Sequence, residues 1–67
     1  MSISYNKLWK LMIDKNLKKT QLKDLAGVST NVIAKLGRSE SVPVDSLAKI
    51  CHVLKCDIGD IMEITED

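Results

Sequence analysis

The sequence predicts a compact all-α domain of five short helices, and three observations support this prediction. The 67 residues include only one Pro and three Gly, against many Leu, Lys, Ile and Asp, a composition that suits helices better than a sheet. Apolar side chains recur three and four residues apart, as they do on one face of a helix. With 45% apolar residues and no Phe, the core must be aliphatic. A chain of this length is expected to form one small domain, residues 1–67.

The first helix is predicted at about residues 4–15. Its apolar side chains follow helical spacing: Tyr5, Leu8, Trp9, Met12 and, less regularly, Ile13. Trp9 would contribute more buried area than any other side chain. We interpret it as a core residue rather than a stacking platform for nucleic-acid bases, because no second aromatic residue lies near it on that face.

A short connection leads to the second helix, predicted at about residues 19–26. Leu17 in the connection should return to the core. Within the helix, Leu22 points inward together with either Leu25 or Ala26. Gly27 can adopt a positive φ without a steric clash, so the helix can end there and the chain can change direction within three residues.

The third helix follows this turn, and Ser29 is its predicted N-cap because its hydroxyl can accept a bond from an unpaired amide of the first turn. The apolar residues share one face: Val32, Ile33 and Leu36. The opposite face is small, polar and basic: Thr30, Asn31, Ala34 and Lys35. Gly37 can end the helix, and a polar loop then runs to Pro43.

The fourth helix, predicted at about residues 44–55, has the clearest helical pattern. Its inward stripe is Leu47, Ile50, Cys51 and Leu54. A fifth helix of one or two turns is predicted at residues 57–62, with Asp57 as its N-cap. Apolar side chains crowd this C-terminal segment: Ile58, Ile61, Met62 and Ile64. Two interpretations remain open for them, namely packing against the first helix and a surface for homodimerisation.

The charges are distributed unevenly along the chain. Residues 1–56 carry all ten Lys and Arg against four acidic side chains, a net charge of +6, whereas residues 57–67 carry five acidic side chains and no basic one. A basic body is what a phosphate-facing surface requires. Ordinary solvated charge on a small domain is the alternative interpretation.

The composition argues against several other functions. Cys51 and Cys56 are too few and wrongly spaced for a zinc site, and His52 does not complete one. Because these residues also form no plausible catalytic pair, we expect no catalytic residue, metal, cofactor or small-molecule ligand. No stretch approaches the roughly 20 apolar residues that span a bilayer, and no leader is evident. We therefore expect a cytoplasmic protein that does not bind membranes.

Taken in order, these features resemble the phage-repressor-like helix-turn-helix regulators of the Cro-like, xenobiotic-response-element type. The resemblance covers nearly the whole chain, as far as Ile61. It is carried by Leu17, Leu22, Ala26-Gly27-Val28-Ser29, Ile33 and Leu36, then by a fourth helix that begins near Pro43. The resemblance implies a lambda-repressor-like DNA-binding domain with the helix-turn-helix in helices 2 and 3. It also implies a small bacterial or phage-type transcriptional regulator, most simply a repressor that occupies an operator.

The sequence departs from the family's pattern in three places. Thr20-Gln21 looks like the family's frequent Thr-Gln pair but lies one position out of register, so Lys18 and Lys19 occupy those positions. Lys23 stands where a small residue usually lets the second and third helices approach. Gly37 replaces a frequent Glu at the end of the third helix.

The resemblance also implies which residues contact DNA, with the third helix in the major groove. The expected base contacts are Thr30, Asn31, Ala34 and Lys35. The expected phosphate contacts are Lys18, Lys19, Ser29, Arg38 and Ser41. An Asn can pair with adenine, a Lys can donate to guanine, and an Ala methyl can contact thymine.

Two expectations concern partners. One domain of this size covers few base pairs, so a homodimer on double-stranded DNA is expected. The alternative function is a protein-interaction module, such as an antitoxin or anti-repressor, on the same fold. Against that alternative, the outward face of the third helix offers no aromatic or aliphatic anchor.

Overall fold

Four α-helices form where the apolar periodicity predicts them. The computed structural model describes residues 1–66 and places α1 at Asn6–Asp14, α2 at Lys19–Ala26, α3 at Thr30–Gly37 and α4 at Val44–Leu54. Two of the helices end at left-handed residues, α2 at Gly27 with φ 68° and α4 at Lys55 with φ 55°. Within residues 1–66, no helix has the length and apolar content to cross a membrane.

The core lies between the helices and is almost entirely aliphatic. Its largest fully buried side chains are Tyr5, Leu8, Leu22, Leu36, Ile50, Leu54 and Ile61. α2 packs against both α4 and α3. Of the two inward candidates on α2, Ala26 is buried, whereas Leu25 is 61% exposed.

The apolar face of α1 is narrower than the sequence suggests. Trp9 and, in the following connection, Leu17 are half-buried and pack against the core, in agreement with their predicted placement. Ile13 is 76% exposed and lies outside that face.

The predicted fifth helix is wrong. Residues Ile58–Asp60 form a single 3-10 turn, in which the Ile61 N–H donates to the Ile58 carbonyl at 3.1 Å. Asp57 is the N-cap residue of this turn, as predicted, and its N–H donates to Asp60 Oδ2 at 2.9 Å. Ile61 is fully buried, so packing is the correct interpretation for this residue and it is not part of an exposed surface.

A small antiparallel sheet, absent from the sequence prediction, joins the two ends of the described chain. Strand β1 (Ser2–Ser4) pairs with strand β2 (Glu63–Thr65), and Ile3 lies opposite Ile64. The strands flank two buried residues, Tyr5 and Ile61. Burial of these residues brings the two segments together, so the chain extends after the 3-10 turn instead of continuing as a helix. The fold is therefore mostly helical.

Candidate nucleic-acid interface

The turn between α2 and α3 is formed by residues 27–29. Gly27 is left-handed, and its N–H donates to the Lys23 carbonyl at 3.0 Å. Val28 is buried and fixes the turn to the core. Ser29 is extended, and its Oγ accepts a hydrogen bond from the Val32 N–H at 3.2 Å, which is the predicted N-cap. This bond uses an acceptor lone pair, so the Ser29 hydroxyl can still donate to a phosphate.

α3 exposes its polar side most fully in its first turn. Leu36 is completely buried, and Val32 and Ile33 are half-buried against the core. Among the predicted base contacts, Thr30 and Asn31 are exposed, whereas Ala34 and Lys35 are half-buried. Asn31 and Lys35 are four residues apart and thus share one side of the helix. The first turn therefore offers the most accessible polar groups for an approaching duplex.

An acidic residue after α3 pairs with one of the predicted phosphate contacts. Arg38 Nε donates to Glu40 Oε2 at 2.6 Å, and both side chains are about half exposed. This hydrogen bond lowers the pKa of the Glu40 carboxyl, and the nearby charge of Lys35 lowers it further. The Glu40 carboxylate therefore pairs with Arg38 and also lies within the field of Lys35. The sequence prediction missed this pairing because contacts two residues apart in a loop follow no periodic pattern.

The loop that carries Glu40 is anchored to the core by a hydrogen bond to its backbone. The hydroxyl of the buried Tyr5 donates to the Glu40 carbonyl at 2.9 Å. Ser39 is left-handed with φ 57°, which turns the backbone between Arg38 and Glu40. Ser41, another predicted phosphate contact, is exposed in the same loop. The loop after α3 is thus held through the backbone of Glu40, independently of the contact between the Arg38 and Glu40 side chains.

The start of α2 holds the other two predicted phosphate contacts. The Lys18 N–H donates to Gln21 Oε1 at 2.8 Å. Gln21, the second residue of the Thr-Gln pair that lies out of register with the family's pattern, therefore caps the helix. Lys19 Nζ lies 4.7 Å from the centroid of the Trp9 ring, a cation–π contact. The capping by Gln21 could have been predicted from the sequence, because a glutamine or glutamate three residues after an N-cap is a recognisable pattern. The contact between Lys19 and Trp9 could not, because the two residues are on different helices.

The remaining sequence features do not form a second chemical site. Lys23 is half-buried on α2, with Nζ 3.7 Å from Asp24 Oδ1, so a long side chain is accommodated where the family favours a small one. Burial raises the pKa of the Cys51 thiol to about 11, with a smaller contribution from neighbouring Cys56. Among residues 1–66, no cluster of three or more His, Cys, Asp or Glu side chains could hold a metal ion.

Two eight-residue helices joined through a left-handed glycine and a capping serine, the second with an exposed polar first turn, define a helix-turn-helix domain. The sequence model of the Cro/C1-type HTH DNA-binding domain matches residues 7–67, and the chain belongs to that family. This match confirms the resemblance inferred from the sequence.

A solved structure agrees with the family assignment. A crystal structure of the transcriptional regulator VanUg (Form II) is 48% identical to this chain and superposes with a TM-score of 0.93, covering 98% of this chain and 88% of that one. The search of curated proteins gave no significant match. The chain is thus similar, over nearly its whole length, to a transcriptional regulator.

Proposed function

We propose that the protein binds double-stranded DNA sequence-specifically through α3 and thereby regulates transcription. The observation that carries this proposal is the polar first turn of α3, where Thr30 and Asn31 are exposed while Leu36 on the opposite side is buried. Membership of the Cro/C1-type family and likeness to a transcriptional regulator support it.

The proposed contacts divide into two groups by their chemistry. Base edges are contacted by Thr30, Asn31, Ala34 and Lys35, each good hydrogen-bonded contact giving about 1–3 kcal/mol of discrimination. Phosphates are contacted by Lys18, Lys19, Ser29, Arg38 and Ser41, which set the register of the protein but carry no base information. Because Ala34 and Lys35 are half-buried and Thr30 and Asn31 are exposed, we propose that Thr30 and Asn31 supply the larger share of base discrimination.

The mode of regulation is proposed to be repression of the bacterial or phage type. A helix-turn-helix domain bound over a promoter excludes polymerase by occupying the same DNA. Its own concentration is then the signal, because occupancy follows mass action.

Selection of binding sites from random duplex DNA, followed by fluorescence anisotropy on the selected duplex and its single-base-pair variants, tests the proposal. Asn31→Ala should relax preference at one base pair, whereas Lys19→Ala should weaken binding to every duplex and reduce its salt dependence. Lys35→Ala should reduce both affinity and sequence preference. Its control is Lys49→Ala, which removes an exposed lysine from α4 and should leave the sequence preference unchanged. The proposed role of α3 is wrong if Asn31→Ala and Lys35→Ala change neither affinity nor preference.

We further propose that two copies bind adjacent half-sites as a homodimer. Ile64 is 62% exposed and Ile58 40% exposed, so these two side chains and the half-buried Met62 are the available apolar contacts at this end. Sedimentation equilibrium at tens of micromolar should give a dimer that Ile64→Lys weakens. Ile13→Lys is the control, because it changes another exposed isoleucine, on α1. A monomeric mass for the unmodified protein would rule this assembly out.

A further inference from the structure

Three residues from separate helices meet around one ammonium group. Lys19, the first residue of α2, places Nζ 4.7 Å from the ring centroid of Trp9 on α1. A Cβ at Gly37, the last residue of α3, would lie 3.9 Å from the same Nζ. The ammonium therefore lies where the start of α2 meets the end of α3, the two helices of the helix-turn-helix.

We propose that Trp9 is a positioning residue for DNA binding, which holds the Lys19 ammonium in place to meet a backbone phosphate. The inference rests on the proposed function and adds a residue that makes no DNA contact itself. It also gives the single tryptophan of the chain a second role beside its packing against the core.

The physical reason is the flexibility of lysine. A free lysine samples many rotamers and must lose them when it binds one phosphate. The face of an indole ring attracts an ammonium through its quadrupole and restricts those rotamers before DNA arrives. The ring carries no formal charge, so the ammonium keeps its full charge and can still donate hydrogen bonds away from the ring.

Gly37 supplies the space for this arrangement. The ammonium lies within van der Waals reach of where a side chain at position 37 would begin, and Gly37 places no side chain there. A longer side chain at this position would compete for the volume over the ring. An open hollow of about 670 Å³ lies next to Lys19, and its border is mainly apolar: Trp9, Met12, Ile13 and Leu17. A phosphate is therefore expected to meet the ammonium from the solvent side rather than inside the hollow.

The first test needs no DNA. In the free protein, the ring current of Trp9 should shift the Lys19 side-chain methylene protons upfield in NMR spectra, and Trp9→Leu should return them to ordinary lysine values. The shift should persist when a mixed-sequence duplex of two helical turns is added. Ordinary lysine shifts in the unmodified free protein would overturn the proposal.

The second test is a double-mutant cycle on that duplex, read by fluorescence anisotropy over a series of salt concentrations. Trp9→Leu should weaken binding about two- to fivefold, the size of an exposed cation–π contact. Lys19→Met should lower the salt slope by about 0.9, as expected for one lost phosphate contact. In the Lys19→Met background, Trp9→Leu should have no further effect. An equal loss in both backgrounds would mean that Trp9 acts through packing alone.

Two controls separate the possible failures. Trp9→Tyr keeps an aromatic face and should recover most of the affinity lost in Trp9→Leu, and thermal unfolding of each variant shows that it is folded at the assay temperature. If the unmodified protein bound no duplex at low salt, the proposed function would fail, whereas the NMR shift would still report whether Trp9 holds Lys19.

Discussion

Glu40→Gln should make DNA binding tighter and more sensitive to salt. Glu40 Oε2 accepts a hydrogen bond from Arg38 Nε at 2.6 Å, and the field of Lys35 reaches the same carboxylate. In the proposed complex, a phosphate must therefore compete with Glu40 for the Arg38 guanidinium. Glutamine has nearly the same shape but no charge, and the Tyr5 hydroxyl continues to hold the loop through the backbone carbonyl of residue 40.

The size of the effect follows from the charge that is removed. One full phosphate contact contributes about 0.9 to the slope of log K against log salt concentration, so releasing Arg38 from Glu40 steepens the slope by up to about 0.9. Between about 50 and about 200 mM salt, the variant should therefore lose up to about 3.5-fold more affinity than the unmodified protein loses. The variant should therefore gain most at the lowest salt concentration.

Fluorescence anisotropy with a labelled duplex over that salt range measures both quantities. The control is Glu63→Gln, the same substitution on strand β2, where the exposed residue pairs with Ser4 of β1. In an Arg38→Ala background, the gain from Glu40→Gln should shrink. Unchanged or weaker binding by Glu40→Gln, with an unchanged salt slope, would refute the placement of Arg38 at the phosphate surface.

Two further predictions concern the fold and the thiols. Lys55 is left-handed with φ 55° at the end of α4, a conformation that costs a residue with a Cβ about 1 kcal/mol. Lys55→Gly should relieve this strain and raise the melting temperature, measured by calorimetry, by about 4–8 °C. Lys49→Gly, inside the same helix, should lower it. Because the pKa of Cys51 is raised to about 11, about one in a thousand of its thiols is ionised at pH 8. Mass spectrometry after iodoacetamide treatment at that pH should therefore find Cys56 modified first, and equal modification would contradict the burial of Cys51.

Local chemistry allowed the helix-turn-helix to be predicted closely. Gly27 ends α2 because glycine, which has no Cβ, adopts the left-handed conformation at little cost. Ser29 starts α3 because its hydroxyl accepts a hydrogen bond from the Val32 amide. Both interactions lie within four residues of sequence. The bounds of α2, Lys19–Ala26, therefore agree with the prediction.

The C-terminal segment could not be predicted in the same way, because distant residues decide its structure. Asp57 followed by apolar residues at helical spacing has the local pattern of a capped helix. The chain instead forms a single 3-10 turn and pairs Ile64 with Ile3, more than 60 residues away. Two three-residue strands have almost no local signal, and Asp60 rather than Asp57 supplies the capping carboxylate.

The intramolecular contact of Arg38 opposes DNA binding, whereas that of Lys19 favours it. This difference predicts how each residue contributes to the salt dependence of binding. Arg38 is held by a carboxylate that a phosphate must displace, and salt screens both interactions. Lys19 is held by a neutral ring that a phosphate does not displace. Screening Arg38 from Glu40 partly offsets the screening of Arg38 from DNA, so Arg38 should contribute less to the salt slope than Lys19. Lys19→Met should accordingly lower the slope more than Arg38→Met, although each removes one positive charge.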